Sequence, residues 1–339
     1  MTPRRAWLAA AALAGVLLLA AIVTATTLEP HTRGFDQFQG LGLWKIDVHE
    51  QVDPEVLGYA VSVGASQGIL GIVNLGGGHA GGGLERQLDA AARFPGRVAV
   101  FMELDERGCC DAAWADREVA RIVTGRALGA RGLHVPRALA SPGGAPVPLD
   151  APALLPVWQA VAGLAIPVAW STGTGPAARE RMVKLVEGQP RIPFVALGMG
   201  GLGANPAALG ALLSRLPNLH VDTANSVPEM ARDPEATREL LSAHADRVLL
   251  GTDLAWLQGP SAEQRALVIG GGAPVRSREP LQRFFDSTWR FFESREAGIP
   301  GPVAGDGAVE GLALPRDVLE KIYRDNARAL VGFGDLGAQ

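Results

Sequence analysis

Cysteine and tyrosine are scarce in this chain, and positive charge is not in excess. Its 339 residues include 2 Cys and 2 Tyr. The cysteines are the neighbours Cys109 and Cys110, so they cannot staple distant segments, and no Cys-x-x-Cys pair is present for a structural zinc. They read as unpaired or locally bonded surface cysteines. Lys and Arg number 31 against 35 Asp and Glu, a formal charge of -4, which leaves no electrostatic footprint for nucleic acid. The glycines and prolines form no collagen-like or low-complexity tract.

What is abundant is apolar sequence cut by turns. The chain is 47% hydrophobic with 43 Gly and 24 Pro, enough to bury a large core in one α/β barrel or two smaller domains. Arg4 and Arg5 precede an uncharged run from Ala6 to Thr27, the layout of an export signal. Val23-Thr24-Ala25 suits a small-x-small cleavage site, while the run is also as long as a membrane span of ~20 residues, so a cleaved signal and a retained anchor both remain open. Arg4-Arg5-Ala6-Trp7-Leu8 loosely matches a twin-arginine signal. Export implies a periplasmic location, with the membrane touched only through this segment. The expected organisation is an export signal or anchor over 1–27, a linker over 28–42, a barrel over 43–332 and a tail over 333–339.

From Leu43 onward short apolar runs alternate with longer amphipathic ones. The strand candidates are Leu43 to Val48, Gly68 to Asn74, Arg97 to Leu104, Gly132 to Val135, Ile166 to Ser171, Pro193 to Leu197, Leu219 to Thr223 and Val248 to Thr252. Helix starts are marked by a capping side chain with an early proline at Asp53-Pro54, Asp150-Ala151-Pro152, Asn205-Pro206 and Asp233-Pro234. Strand and helix in strict alternation mean a parallel sheet, and eight units without a domain break predict a (β/α)8 TIM barrel. Pro280 to Glu293 is an aromatic-rich helix of core-packing spacing, preceded by a glycine- and proline-rich excursion from Gly259 to Pro274 that suits a lid. A last helix is expected at Pro315 to Leu330.

Chemistry in such barrels gathers at the carboxyl ends of the strands. Those ends carry Asp47, His49 and Gln51; Asn74; Glu103 and Asp105; His134; Ser171 and Thr172; Gly198; Asp222; and Thr252 and Asp253. Strand alternation puts Asp47, His49 and Gln51 on one face, expected to be the barrel interior. Gly76 to Gly81 formally fits G-x-G-x-x-G, with Glu103 and Asp105 about where a ribose partner would lie. The loop is longer than the tight turn a dinucleotide fold requires, and it suits a flexible cover over the mouth, with His79 reaching substrate.

IDVHEQVDPE, GARGLHV, IPVAWSTG, VALGMGG, RLPNLHVDTAN, DRVLLGTDLAW and LPRDVLEKIYRDNARALVG, in this order, resemble the amidohydrolase-related family of TIM-barrel hydrolases and decarboxylases. The resemblance runs from Lys45 to about Gly332. It implies a divalent metal, most often zinc, held by two strand-one histidines, histidines on strands five and six, and a strand-eight aspartate. His49 and Asp253 match; Gln51, Ser171 and Gly198 stand where the other three histidines would be. The implied ligand set is therefore His49 and Asp253 with His134 as the third donor, Asp253 carrying the proton, and Gln51, His79, Glu103, Ser171 and Asp222 facing a small amide, lactone or aromatic acid. A homodimer is also implied. The alternative is a pseudoenzyme that kept the barrel and lost the metal, with a binding or envelope-associated role.

Overall fold

The first strand, β1 (Lys45–Val52), does not alternate uniformly. Its pairing with β2 (Ile69–Asn74) slips between Asp47 and Glu50, where three steps on β1 oppose two on β2 from Ile72 to Asn74. This bulge reverses the faces. Before it, Ile46 and Val48 join the interior cluster with Val73, Phe101, Ala169, Val195 and Leu249. Lys45 instead packs outward, its Nζ 4.5 Å from the Trp289 ring centroid. After it, His49 comes to the mouth. The expectation that Asp47 and His49 share the inner face is thereby corrected: the extra residue puts Asp47 outside and His49 inside.

This computed structural model describes residues 40–334 apart from 137, 138, 142, 174, 260–264, 273 and 276. The export segment, most of the linker and most of the C-terminal tail lie outside the described residues. Among the described residues no helix is long and apolar enough to cross a membrane.

All eight expected strands form. After β1 and β2 come β3 (Val98–Glu103), β4 (Gly132–Val135), a small hairpin of β5 (Leu139–Ala140) and β6 (Pro146–Val147), β7 (Val168–Trp170), β8 (Phe194–Ala196), β9 (Leu219–Asp222) and β10 (Val248–Leu249). The parallel order is β10-β9-β8-β7-β4-β3-β2-β1. The sheet closes through a strand eight broken in two. β10 pairs with β9, the chain turns through Gly251 to Asp253, and β11 (Leu254–Gln258) then pairs with β1. Val48 N–H donates to the Leu250 carbonyl at 2.9 Å and Asp253 N–H to the His49 carbonyl at 2.8 Å, which fastens this seam.

Three expectations need correction. The excursion after strand eight is in part sheet: β12 (Arg265–Ile269) runs antiparallel to β11 and extends the edge. Asp53 caps no helix; its carboxylate accepts the Gln258 N–H at 2.7 Å, and the first helix begins later, at Leu57–Ser66. Asn205 and Asp233 do cap, accepting the N–H groups of Ala208 and Ala236. The aromatic helix forms as Glu279–Glu293, and buries Phe284, Phe285, Trp289, Phe291 and Phe292. The last helix runs Arg316–Glu320 and Asn326–Val331 with a wider turn, Lys321–Asp325, between them. Cys109 is fully buried and bonded to Cys110, so it is not a surface residue.

Candidate active site

Register fixes which side chains face the mouth. In a parallel pair, opposed residues point to the same side. Glu103 opposes His134, His134 opposes Ala169, Ala169 opposes Val195, and Val195 opposes His220. Ala169 and Val195 belong to the interior cluster, so Glu103 and His134 are inward too. Two residues further along their strands, Ser171 and Asp222 rise toward the rim on the same face.

At the seam these positions assemble one linked group. His49 Nδ1 lies 2.9 Å from Asp222 Oδ2, and His49 Nε2 lies 3.2 Å from Asp253 Oδ1. Asp222 is wholly buried, and its other oxygen accepts the N–H groups of Gly198 at 2.7 Å and Ala224 at 3.1 Å. Asp253 is reached by solvent, its side chain 22% exposed. Burial opposes a charge on His49, but Asp222 and then Asp253 outweigh it and hold the imidazole up at about 10. With an acceptor at each ring nitrogen, the ring donates from both.

Asn225 completes the group. Its Nδ2 donates to Asp253 Oδ2, and both Asn225 and Asp253 sit at positive φ, 52° and 57°. Non-glycine residues in that region carry strain that surrounding structure must offset, and such residues cluster at functional sites. Asn225 was missed in the sequence because nothing in VDTAN distinguishes it from a loop asparagine.

Beneath the mouth lies a second polar layer. Asp47 accepts the N–H groups of His49 at 2.9 Å and Thr252 at 3.1 Å, together with the Thr252 hydroxyl. Glu50 accepts the Trp256 indole N–H at 2.7 Å. Burial raises both carboxyls, Asp47 to about 6 and Glu50 well above its ordinary value, with the charge of Asp47 raising Glu50 further. This layer ties strand one to the turn that carries Asp253.

An open cavity of about 260 Å³ covers the group, lined by His49, Ser171, Thr172, Gly198, Asn225 and Asp253 among others. Ser171 therefore lines the mouth. The remaining assignments divide. His134 lies across the mouth, its Nδ1 3.1 Å from the Leu75 carbonyl and 3.5 Å from Glu103 Oε1, and does not join His49 and Asp253. Glu103 accepts the Gly78 N–H at 3.0 Å and so anchors the glycine loop. His79 sits in that loop 3.9 Å from Asp105, beside Arg107, and outside the cavity lining. Gln51 is exposed on β1 and also outside the lining. Asp222, expected to face substrate, is instead buried beneath His49.

The profile of the family described as amidohydrolase matches residues 73–333. The chain belongs to the amidohydrolase family. Among solved structures it is similar to an uncharacterized TIM-barrel protein from Bordetella bronchiseptica, at 15% identity over 86% of this chain and 99% of that one, with a TM-score of 0.56. It is also similar to a 2,6-dihydroxybenzoate decarboxylase from Rhizobium (17%, 86% and 99%, 0.53). A third is a dihydroxybenzoic acid decarboxylase from Polaromonas sp. JS666 with bound manganese and the inhibitor 2-nitroresorcinol (14%, 88% and 100%, 0.53). At these identities the likeness is one of fold. No curated protein matches the chain.

As a member of the amidohydrolase family, the chain can be asked whether its residues fit a divalent metal. A catalytic zinc takes three protein donors and leaves a fourth position open. His49 Nε2 and Asp253 Oδ1 face one point, but Asp222 is on the opposite ring nitrogen, His134 is engaged elsewhere, and Ser171 and Gly198 supply neither imidazole nor carboxylate. Among the described residues no three His, Cys, Asp or Glu side chains are placed to hold one ion. The donor set does not fit.

Proposed function

We propose that the protein is a hydrolase or decarboxylase of the amidohydrolase family that acts on a small amide, lactone or aromatic acid at the barrel mouth, with Asp253 as proton carrier. The single observation that carries this is the His49–Asp253 pair at 3.2 Å, open to a cavity on one side and fixed by buried Asp222 on the other. Family membership supports the reaction class, and the substrate class is the one the family resemblance implies.

The zinc implied by resemblance is not part of the proposal, because two donors fall short, and no step is routed through it. The chain's own residues divide the work. Asp222 fixes the ring, His49 donates to Asp253 Oδ1, and Asn225 holds its second oxygen. In hydrolysis Asp253 then accepts a proton at Oδ1 from attacking water and returns it to the leaving atom; in decarboxylation it takes the proton from a substrate hydroxyl or solvent and delivers it to the ring carbon as that carbon loses carbon dioxide. Ser171 and Thr172 line the wall opposite and hydrogen bond the substrate. The proposal includes export, supported by Arg4, Arg5 and the uncharged run through Thr27.

A second reading, a barrel that binds without turnover, is favoured by the loss of donors at Gln51, Ser171 and Gly198. One experiment separates the two. The purified chain is screened against amides, lactones and aromatic acids beside Asp253→Asn and His49→Ala, with metal content measured by elemental analysis. Turnover abolished in both variants, without stoichiometric metal, is the expected result. Ligand binding without turnover establishes the second reading. One metal per chain, lost in His49→Ala, overturns the metal-free site.

A further inference from the structure

The mouth holds one carboxylate that the chemistry above does not use. Glu229 lies in the short helix Val227–Met230, in the connection after β9, and lines the same cavity of about 260 Å³ as His49, Asn225 and Asp253. It is only partly exposed, and among the described residues its carboxylate accepts no hydrogen bond and forms no ion pair. Gly203 makes room for it. A Cβ on Gly203 would stand 3.0 Å from both Cβ and Oε2 of Glu229 and 3.6 Å from Cβ of Ser226, so the bare backbone there lets the carboxylate pack where it does.

The charges around this cavity do not balance. Its lining has two acids, Asp253 and Glu229, and one basic side chain, His49; no lysine or arginine is among the described residues that form it. His49 is already bonded at both ring nitrogens, to Asp222 beneath the cavity and to Asp253 at its wall. Three carboxylates thus stand against one imidazole. Two of the three are fully engaged: Asp222 accepts from His49, Gly198 and Ala224, and Asp253 from His49 and Asn225. Glu229 is the one left with open acceptors. A concave wall of one sign concentrates the opposite charge from solution, so this mouth attracts cations and repels anions.

We propose that Glu229 sets the specificity of this mouth by holding an ammonium group, so that the substrate is a small amide or lactone bearing a primary amine, with its amine at Glu229 and its reacting carbon at Asp253. The proposal rests on the reading of this cavity as the active site, and it narrows the substrate class given there. A free aromatic acid without an amine brings a second anion to an acidic wall and is the poorer substrate. An ammonium donating to a carboxylate makes a charge-assisted hydrogen bond, roughly twice as strong as a neutral one.

The test is isothermal titration of the full chain with three single-ring probes that differ in charge: benzylamine, benzyl alcohol and benzoate. One benzylamine per chain is expected, bound about tenfold or more tighter than either of the others, the scale of a hydrogen bond to a charged group. Glu229→Gln keeps the size, removes the charge and brings benzylamine down to the level of the alcohol, with urea unfolding unchanged. Gly203→Ala keeps the charge but pushes the carboxylate aside, and weakens benzylamine by a smaller factor. Absence of benzylamine binding, equal binding of all three probes, preference for benzoate, or full benzylamine binding by Glu229→Gln overturns the proposal. Binding lost in Asp253→Asn and kept in Glu229→Gln overturns it too, and places the amine on Asp253. Turnover is read separately. Benzylamine held through Glu229 in a chain that turns over no amide, lactone or acid upholds this assignment and overturns the catalytic reading, whereas turnover of aromatic acids undiminished in Glu229→Gln does the reverse.

Discussion

Two histidines face the mouth of this barrel, and their surroundings differ. His49, on the seam of strands one, seven and eight, has a carboxylate at each ring nitrogen and a backbone amide that is itself gripped by Asp47. His134, on strand four, leans on the Leu75 carbonyl and stands near the half-exposed carboxylate of Glu103. One side of the mouth is a closed chain of charges; the other anchors a glycine loop. An imidazole at a strand end thus says little by itself, and the acceptor behind it decides what it can do.

Substitutions sharpen that contrast. The largest effect is expected from Asp222→Ala, which strands a buried charged imidazole and the N–H groups of Gly198 and Ala224. Loss of one partner of a buried pair costs about 3–5 kcal/mol, to be read by urea unfolding. Gly251→Ala comes next. A Cβ there would meet His49 Cβ at 2.9 Å and Asp222 Cγ at 3.0 Å, so the added methyl pushes the pair apart. Overpacking of this kind costs roughly 1–3 kcal/mol, and activity should fall with stability. On the far side of the mouth His134→Ala should shift stability by less than about 1 kcal/mol, because it removes one part-exposed hydrogen bond.

pH divides the seam from the layer outside it, with opposite signs. His49 titrates near 10 in the fold against an ordinary 6.5, so its stabilisation is full below about 6.5 and is lost as pH climbs through 10. Lys45, packed between Glu293, Trp289 and Tyr323, is lowered by burial from 10.5 to about 8, with Glu293 only partly offsetting it. The unfolded chain binds the extra proton between those values, so this group adds stability as pH rises from 8 to 10.5. Unfolding at pH 7 and pH 10.5 checks both. The advantage of wild type over His49→Gln should shrink with pH, whereas wild type should gain on Lys45→Met. The same trend in both comparisons would discard one assignment.

The barrel was legible because its signals are local: eight apolar runs, capped helix starts at Asn205 and Asp233, and an aromatic stripe at helical spacing. Resemblance named the family, and His49 and Asp253 came with it. The bulge at Val48 and His49 was not legible, because an extra residue shows only against the partner strand. That is why Asp47 was placed inside. β12 was hidden by the glycine and proline around it. Asn225 and the burial of Asp222 depend on loops meeting across the seam, which no spacing in one chain reveals. Strand position alone suggests His134 as a metal donor, and it does not show that the ring leans on the Leu75 carbonyl and Glu103.

The broken eighth strand gives the molecule a built-in gauge. The stave that completes the ring is the one that carries Asp253, and its two halves grip different neighbours, β9 below the break and β1 above it. Any breathing motion that parts β1 from β11 stretches the bond from Asp253 N–H to the His49 carbonyl and moves the carboxylate from its imidazole in the same stroke. Integrity of the ring and readiness of the site are therefore one quantity. Deuterium uptake at the Asp253 and Val48 amides should rise in step with loss of turnover, well before the helices around them loosen.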